Sequence, residues 1–313
     1  MIHVNHRVAA LATVLLWGWM ELGFKSSFQW CATAFVVGYR GLPFRDTPLT
    51  ELQQESSSSS SSESASSSSS TAKPFGRQDY WQSFYRQSLE QASDSSNNKT
   101  STTSSSSSPL TWYAEWSDLE PFVRDFLPSD FDSPKNQEPS ILLPGVGMDT
   151  VLRDMYVEGG FTNLSAFDYA SESIAYCRDV LLHDVPPDTI ELKVADARNL
   201  TNHYETSSFD MILEKGTLDA VYIAGDEIDR AKRQDSLDRA ISELQRVLKP
   251  SGIFWSLSAI CTEALVSSRQ WTTEWQLQCD GREGIYTTDD GYTSNNIDGT
   301  LMVWQKADPT IAS

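Results

Sequence analysis

Phe209–Ala220 reads FDMILEKGTLDA. Phe209-Asp210-Met211-Ile212-Leu213 is a short, mostly apolar run of the kind shown by a strand buried on both faces. Glu214-Lys215 puts two charges at its end, and Gly216-Thr217 lets the chain turn before a helix that starts at Leu218. In an open parallel sheet, ligands collect outside the carboxyl ends of the strands. A Glu, a Lys and a Gly at that point read either as part of a site or as a solvated loop with a Thr helix cap.

The same rhythm runs outward on both sides. Ile141-Leu142-Leu143-Pro144 reads as a first strand, Gly145-Val146-Gly147 as a turn, and Val151–Tyr156 as a helix ended by Gly159-Gly160. Leu164–Phe167 is a second strand with Asp168 at its end, Ser173–Leu182 a second helix, and Ile190–Ala195 a third strand ending at Asp196. Phe209–Leu213 is the fourth. Gln234–Leu248 is a long amphipathic helix, with apolar residues at Leu237, Ala240, Ile241, Leu244, Val247 and Leu248, and Lys249-Pro250-Ser251-Gly252 closes it. Ile253–Leu257 is the fifth strand, and Glu274–Gln278 with Thr300–Gln305 form a terminal hairpin. Strands alternating with helices predict an α/β fold: a doubly wound, mostly parallel sheet with right-handed crossovers and an antiparallel end.

The chain has 313 residues and a formal net charge of -19. That charge argues against a nucleic-acid partner, because phosphate binding calls for clustered Lys and Arg. It suits a basic protein or an amine substrate, and it equally serves solubility. Cys31, Cys177, Cys261 and Cys279 have no metal-ligand spacing, so reduced, mostly buried thiols and no metal are expected. His183 and His203 stand in no nucleophile-base spacing.

Val8–Met20 (VAALATVLLWGWM) is apolar but shorter than the roughly 20 residues that span a bilayer. It reads as a signal-type segment, with a small-x-small pattern at Ala32-Thr33-Ala34. The Ala-Thr-Ala-Phe tetrapeptide ending at Phe35 resembles the junction in two-part presequences of algae with secondary plastids. Residues 1–50 are therefore expected to target a plastid or a mitochondrion. The other reading is a cytoplasmic chain or one anchored through residues 8–20, and membrane contact is expected only if that segment is retained. Residues 51–74 are Ser-rich, with Ser56–Ser62 and Ser66–Ser70 too polar to bury a core. Residues 75–92 form an aromatic arm, 93–109 a second Ser-rich tract, and 110–308 the folded domain. In the arm, Trp81 and Tyr85 are four apart and share a helix face. A second aromatic island, Thr111–Trp116, leads into the helical pattern Leu119, Phe122, Val123, Phe126, Leu127, which Pro128 stops. These aromatics either dock a flexible arm or belong to a site.

Gly145-Val146-Gly147, between a strand and a helix, lets backbone approach a ligand closely. Asp168, at the next strand end, can accept both ribose hydroxyls, and Asp196 can meet the exocyclic amine of adenine. Each acid alone is an ordinary strand-end residue, and the three ends in register favour a nucleoside site. The third glycine of a dinucleotide fingerprint would fall at Thr150, which counts against NAD but not against S-adenosylmethionine, which has no phosphate.

The order LLPGVG, FDY, VADARNL, FDMILEKGTLDA, RVLKPSG resembles class I methyltransferases that use S-adenosylmethionine. Glu-Lys-Gly-Thr-Leu-Asp-Ala narrows the resemblance to the group that includes lysine methyltransferases of translation elongation factor 1-alpha and of citrate synthase. It runs from Tyr80 to about Lys306, broken by the second serine tract. The resemblance implies a seven-stranded Rossmann-like sheet, S-adenosylmethionine as cofactor, and a protein substrate such as a translation factor or a metabolic enzyme. The family's Tyr-Trp-x-x-x-Tyr motif carries cofactor contacts onto Trp81 and Tyr85, and its Asp-Trp-Phe element carries one onto Trp112. Gly145 with Gly147 in its turn, Asp168, Tyr169, Asp196, Ala197 and Lys215 match the remaining cofactor positions. Pro144, Val146 and Met148-Asp149 depart from the commoner residues around the glycines.

Methyl transfer to an amine requires alignment and desolvation rather than a catalytic triad. Glu214 or Asp219 is expected to position a lysine amine, although Asp219 also reads as an exposed acid in the first turn of a helix. Lys215 pairs with Glu214, with Asp219 or, as the resemblance implies, with the cofactor carboxylate. Glu214-Lys215-Gly216-Thr217 stands where base methyltransferases carry Asn-Pro-Pro-Tyr, so base methylation is not expected. A small-molecule methyltransferase and a cofactor-binding scaffold without turnover are the alternatives to a protein-lysine methyltransferase.

Overall fold

The computed structural model describes residues 74–97, 111–127, 138–224, 229–284, 286–293 and 296–308. The expected targeting segment, the first serine tract and most of the second lie outside the described residues. Seven strands form one sheet: β1 (Ile141–Pro144), β2 (Leu164–Asp168), β3 (Glu191–Val194), β4 (Phe209–Lys215), β5 (Leu248–Ser258), β6 (Trp275–Asp280) and β7 (Thr300–Lys306). Their order is β3-β2-β1-β4-β5-β7-β6. All pairs from β3 to β5 are parallel, and β7 runs antiparallel to both β5 and β6. The chain winds outward from β1 to β3 and then returns to place β4 against β1. The direction of winding therefore reverses between β1 and β4, and a crevice opens at their carboxyl ends.

Alternation along the strands sorts side chains into two layers, as a period of two requires. Ile141, Leu143, Met211, Leu213, Ile253, Trp255, Leu257, Leu301 and Val303 share one core. That layer also holds the buried faces of α2 (Trp116–Phe126), α3 (Val151–Val157) and α4 (Ser171–Tyr176). Leu142, Ile212, Phe254, Met302 and Trp304 point the other way. They meet α6 (Arg230–Val247), whose Leu237, Ala240, Ile241, Leu244 and Val247 are fully buried along one stripe. Between β4 and α6 lies α5 (Thr217–Ala224), and α7 (Thr262–Val266) follows β5. Trp271 stacks on Trp304 with ring centroids 4.1 Å apart and planes 4° from parallel, which closes the antiparallel end of this layer.

Several elements differ from the sequence expectation, each for a local reason. Lys249-Pro250-Ser251-Gly252 does not close the helix as a loop but enters β5, because Leu248 pairs with Phe209 before Met211 pairs with Ile253. The extra residues form a bulge that turns through Ser251 at φ 63°. The helix before it starts at Arg230 rather than Gln234, since Asp229 caps it by accepting from the amides of Ala231 and Lys232. The third strand is only Glu191–Val194, an edge strand with half-exposed Val194. The second helix changes to a π turn at Cys177–Leu181. The aromatic arm is a helix, α1 (Gln78–Asn97), which continues five residues into the stretch expected to be a serine tract. Extending a nucleated helix costs little per residue, even through serine. Cys177, Cys261 and Cys279 are buried free thiols.

The fully buried stripe on α6 gives a direct test. Leu244→Ala should lower the unfolding free energy by about 2–5 kcal/mol in chemical denaturation. Arg239→Ala, on the exposed face, should change it by no more than about 0.5 kcal/mol.

Candidate functional site

The crevice is built from strand ends that touch. Thr217 Oγ1 donates to the Pro144 carbonyl at 2.8 Å, and a Cβ on Gly145 would lie 2.2 Å from that oxygen. Gly145, at φ 57°, thus lets β1 and β4 end side by side. Gly147, also at φ 57°, turns its amide toward β2 and donates to Asp168 Oδ2 at 3.0 Å. A Cβ on Gly147 would lie 3.0 Å from Tyr85 Oη, which places the arm helix directly over the glycine turn.

Asp168 is 2 % exposed, and its other oxygen accepts from the amide of Ala170 at 2.9 Å. Burial pushes its carboxyl up to about 6, against the stabilising pull of those amides. Tyr169 follows it, half-buried, with its carbonyl accepting from Gln78 Nε2 of the arm at 3.3 Å. Asp196, just beyond the end of β3, is partly exposed and holds Arg198 through a 2.6 Å ion pair. The side chain of Ala197 turns the other way, into the core on the α6 side.

The two aromatic islands meet. Trp81 and Tyr85 are stacked at 5.7 Å and almost fully buried, and Trp81 packs edge-on against Trp112 at 5.8 Å. Trp81 Nε1 donates to the Phe75 carbonyl at 2.6 Å. Arg86 reaches Glu172 at 2.7 Å, tying the arm to α4. Trp81, Tyr85, Trp112, Gly145, Gly147, Asp168 and Tyr169 are thereby brought to one edge, with Asp196 at its side.

Lys215 does not pair with Glu214 or Asp219. Its ammonium donates to Asp149 Oδ2 at 2.5 Å, to the Trp112 carbonyl at 2.6 Å and to the Ala114 carbonyl at 3.0 Å. An ammonium has three N–H donors, so none is left over for a cofactor carboxylate. Asp149 also accepts from the amides of Trp112 and Val151. This residue is one of the departures from the family pattern, and its pairing with Lys215 could be found only in space.

Glu214 and Asp219, the expected positioning acids, are both buried with their oxygens occupied. Glu214 is 0 % exposed and accepts from the Leu218 amide at 2.9 Å and from Ser256 Oγ at 2.5 Å. Asp219 is not the exposed acid of a first helical turn: it is 2 % exposed. Its Oδ1 accepts from Ser258 Oγ, Ile260 N and Cys261 N, and its Oδ2 from Ala259 N and Tyr113 Oη. Asp219 therefore holds the loop after β5 and the second island together.

The residues at the edge fit a nucleoside without phosphates. Two glycines at positive φ give close backbone approach, and carboxylates from β2 and from just beyond β3 stand beside them with aromatic rings above. Each Asp168 oxygen that accepts one amide keeps acceptor capacity for a hydroxyl. At the opposite edge of the sheet an open cavity of about 400 Å³ is lined by Ser140, Lys193, Tyr204, Asp210 and Lys249. Its two lysines are already paired, Lys249 with Asp210 at 2.8 Å and Lys193 with Glu191 at 2.9 Å. It lies at the amino ends of the strands, away from the crevice.

Residues 150–304 match a family model described as a methyltransferase domain. The chain is 31% identical over 155 residues to the EEF1A lysine methyltransferase 4 of Bos taurus, a match covering 49% of this chain and 55% of the relative. It is 28% identical over 155 residues to the Mus musculus protein of the same name, covering 48% and 54%. The chain spans about half the length of these two relatives. The protein-lysine N-methyltransferase EFM4 of Saccharomyces cerevisiae is 26% identical over 189 residues, covering 60% and 76%. Among solved structures, a SAM-dependent methyltransferase of Methanosarcina mazei aligns at 18% identity and a TM-score of 0.37, covering 61% of this chain and 99% of that one.

Burial of Glu214 predicts a pH dependence. Burial pushes its carboxyl up from 4.5 to about 8, so the folded chain keeps a proton that the unfolded chain releases. The stabilisation is therefore complete below pH 4.5 and is lost as pH rises through about 8. Asp168 adds a smaller loss between 3.8 and about 6. In thermal melts from about pH 6 to pH 9, wild-type Tm should fall and Glu214→Gln should flatten that fall.

Proposed function

We propose, from the premise that the chain carries a methyltransferase domain using S-adenosylmethionine, that it methylates a lysine side chain of a protein. The edge where β1 and β2 end together carries this reading, with the glycine turn, Asp168 and Asp196 on one side and the end of β4 on the other. Bound there, S-adenosylmethionine supplies a methyl group on a sulfonium sulfur, which leaves as a neutral thioether. Asp168 and Asp196 would hold its hydroxyls and its adenine amine, and Trp81, Tyr85, Tyr169 and Trp112 would exclude water around it. An acceptor lysine has an unperturbed pKa near 10.4 and must shed a proton to water before its nitrogen can attack. Burial against aromatic rings lowers the cost of that loss. The relatives bear the names of lysine methyltransferases of EEF1A, which makes EEF1A the first substrate to try.

The departures around the glycine turn at Pro144, Val146 and Met148-Asp149 support a second reading, a scaffold that binds the cofactor without turnover.

Incubation of the full chain with methyl-labelled S-adenosylmethionine and either EEF1A or a cell lysate separates these. Label in a protein band at lysine is expected. Label only in the soluble small-molecule fraction would turn the assignment to a metabolite enzyme, and calorimetric binding without transfer would favour the scaffold. Asp168→Ala should abolish cofactor binding in calorimetry while the far-UV spectrum stays that of a folded protein. We further propose that residues 1–50 direct the chain to a plastid or a mitochondrion. A fluorescent fusion to these residues should accumulate there, and diffuse cytoplasmic signal would refute the assignment.

A further inference from the structure

The row of strand ends that forms the crevice finishes at an ion pair. Along β3-β2-β1-β4 the carboxyl ends carry Asp196, Asp168, the glycine turn and Lys215 in that order. Three strand spacings, roughly 14 Å in all, separate the first from the last. With adenine at Asp196 and ribose at Asp168, the amino-acid end of the cofactor would point past the glycine turn toward β4. That end is a zwitterion, an ammonium and a carboxylate on one carbon. Lys215 and Asp149 meet at the end of β4 with the same two charges, and each faces the other.

The pair is closed on itself. Asp149 Oδ2 lies 2.5 Å from Lys215 Nζ, with the two side chains 11 % and 9 % exposed. The same oxygen accepts from the Trp112 amide at 3.2 Å, and Oδ1 accepts from the Val151 amide at 3.0 Å. The Asp149 amide donates to the Val146 carbonyl at 3.2 Å, which fixes the residue to the glycine turn. The two remaining N–H groups of Lys215 go to the carbonyls of Trp112 and Ala114, which carry only partial charge. Burial pulls the Lys215 pKa down, and Asp149 and then Glu115 oppose that pull. A carboxylate that approaches the pair therefore meets no free donor and no net charge.

We propose that Asp149 is a specificity-determining residue: it takes the Lys215 ammonium in place of the cofactor's own carboxylate, so the chain holds the adenosine part and leaves that carboxylate without Lys215. This inference rests on the placement of the cofactor along the strand ends given above. Neutralising Asp149 leaves a buried ammonium in need of an anion, with its bonds to Trp112 and Ala114 still holding it in place. The cofactor carboxylate then becomes its partner.

The test is calorimetry on the full chain with two neutral thioethers. S-adenosylhomocysteine carries the amino-acid end, and methylthioadenosine has a methyl group in its place. Wild type should bind the two with Kd values less than about tenfold apart. Asp149→Asn and Asp149→Ser should tighten S-adenosylhomocysteine by about tenfold to a hundredfold, the scale of one hydrogen bond between charged groups, and leave methylthioadenosine unchanged. Tm without ligand should fall in both variants, so stability and affinity for the amino-acid ligand move in opposite directions. Parallel losses of Tm and of affinity for both thioethers would overturn the proposal, since they mark a purely structural residue. An unchanged preference in the variants would also overturn it. If neither variant folds, the wild-type ratio decides, and a preference for S-adenosylhomocysteine of tenfold or more overturns the proposal. A wild-type chain that binds neither thioether would overturn the placement of the cofactor as well.

Discussion

A buried ammonium, Lys215 Nζ, joins three parts of the chain that are far apart in sequence. It ends β4, neutralises Asp149 after the glycine turn, and holds the carbonyls of Trp112 and Ala114. A charge taken out of water is tolerated only when it is paired and all its donors are used. That requirement leaves little freedom in where the second aromatic island can lie. Trp112 is placed against Trp81, Trp81 against Tyr85, and Tyr85 over Gly147. Removal of the ammonium would release the wall of the crevice as well as an ion pair.

The acids at this edge are used in the same way. Asp168, Glu214 and Asp219 are each nearly or wholly buried, and each accepts from backbone amides at the start of a loop or helix. A carboxylate that accepts from amides draws loop backbones to a fixed distance, so the loop after β1 is held by Asp168 at the end of β2, the turn after β4 by Glu214 of β4 itself, and the loop after β5 by Asp219 of α5. The glycine-turn side of the crevice is thereby preorganised around Asp168, and the side toward the loop after β5 around Asp219. Little would need to rearrange during the displacement itself, and this suits a reaction whose barrier is lowered mainly by alignment.

Much of this was legible in the residues. The apolar runs and their spacing located the strands and major helices to within a few positions, because periods of two and 3.6 report burial directly. The ends of β1, β2 and β4 were legible through Gly145, Asp168 and Lys215, since punctuation and charge at the end of an apolar run mark where a strand leaves the core. The bulge at Lys249–Gly252 was not legible, because a turn signal does not say whether pairing resumes on the near or the far side of it. Asp149 stood out only as an unusual neighbour of the glycines. Tyr113 was hidden in an aromatic island whose members look alike in sequence and differ only in what their polar ends reach.

By itself, the order of strands, glycines and acids determined a doubly wound α/β sheet with a nucleoside-type crevice at one edge, because hydrophobic period and turn chemistry are local properties. Tertiary structure alone decided what each charged side chain faces. Lys215 lies 66 residues from Asp149 and 103 from Trp112 in the chain, and Asp219 lies 106 from Tyr113. A hydrogen bond depends on approach within about 3 Å. Separation along the chain carries no information at that range until the sheet has closed.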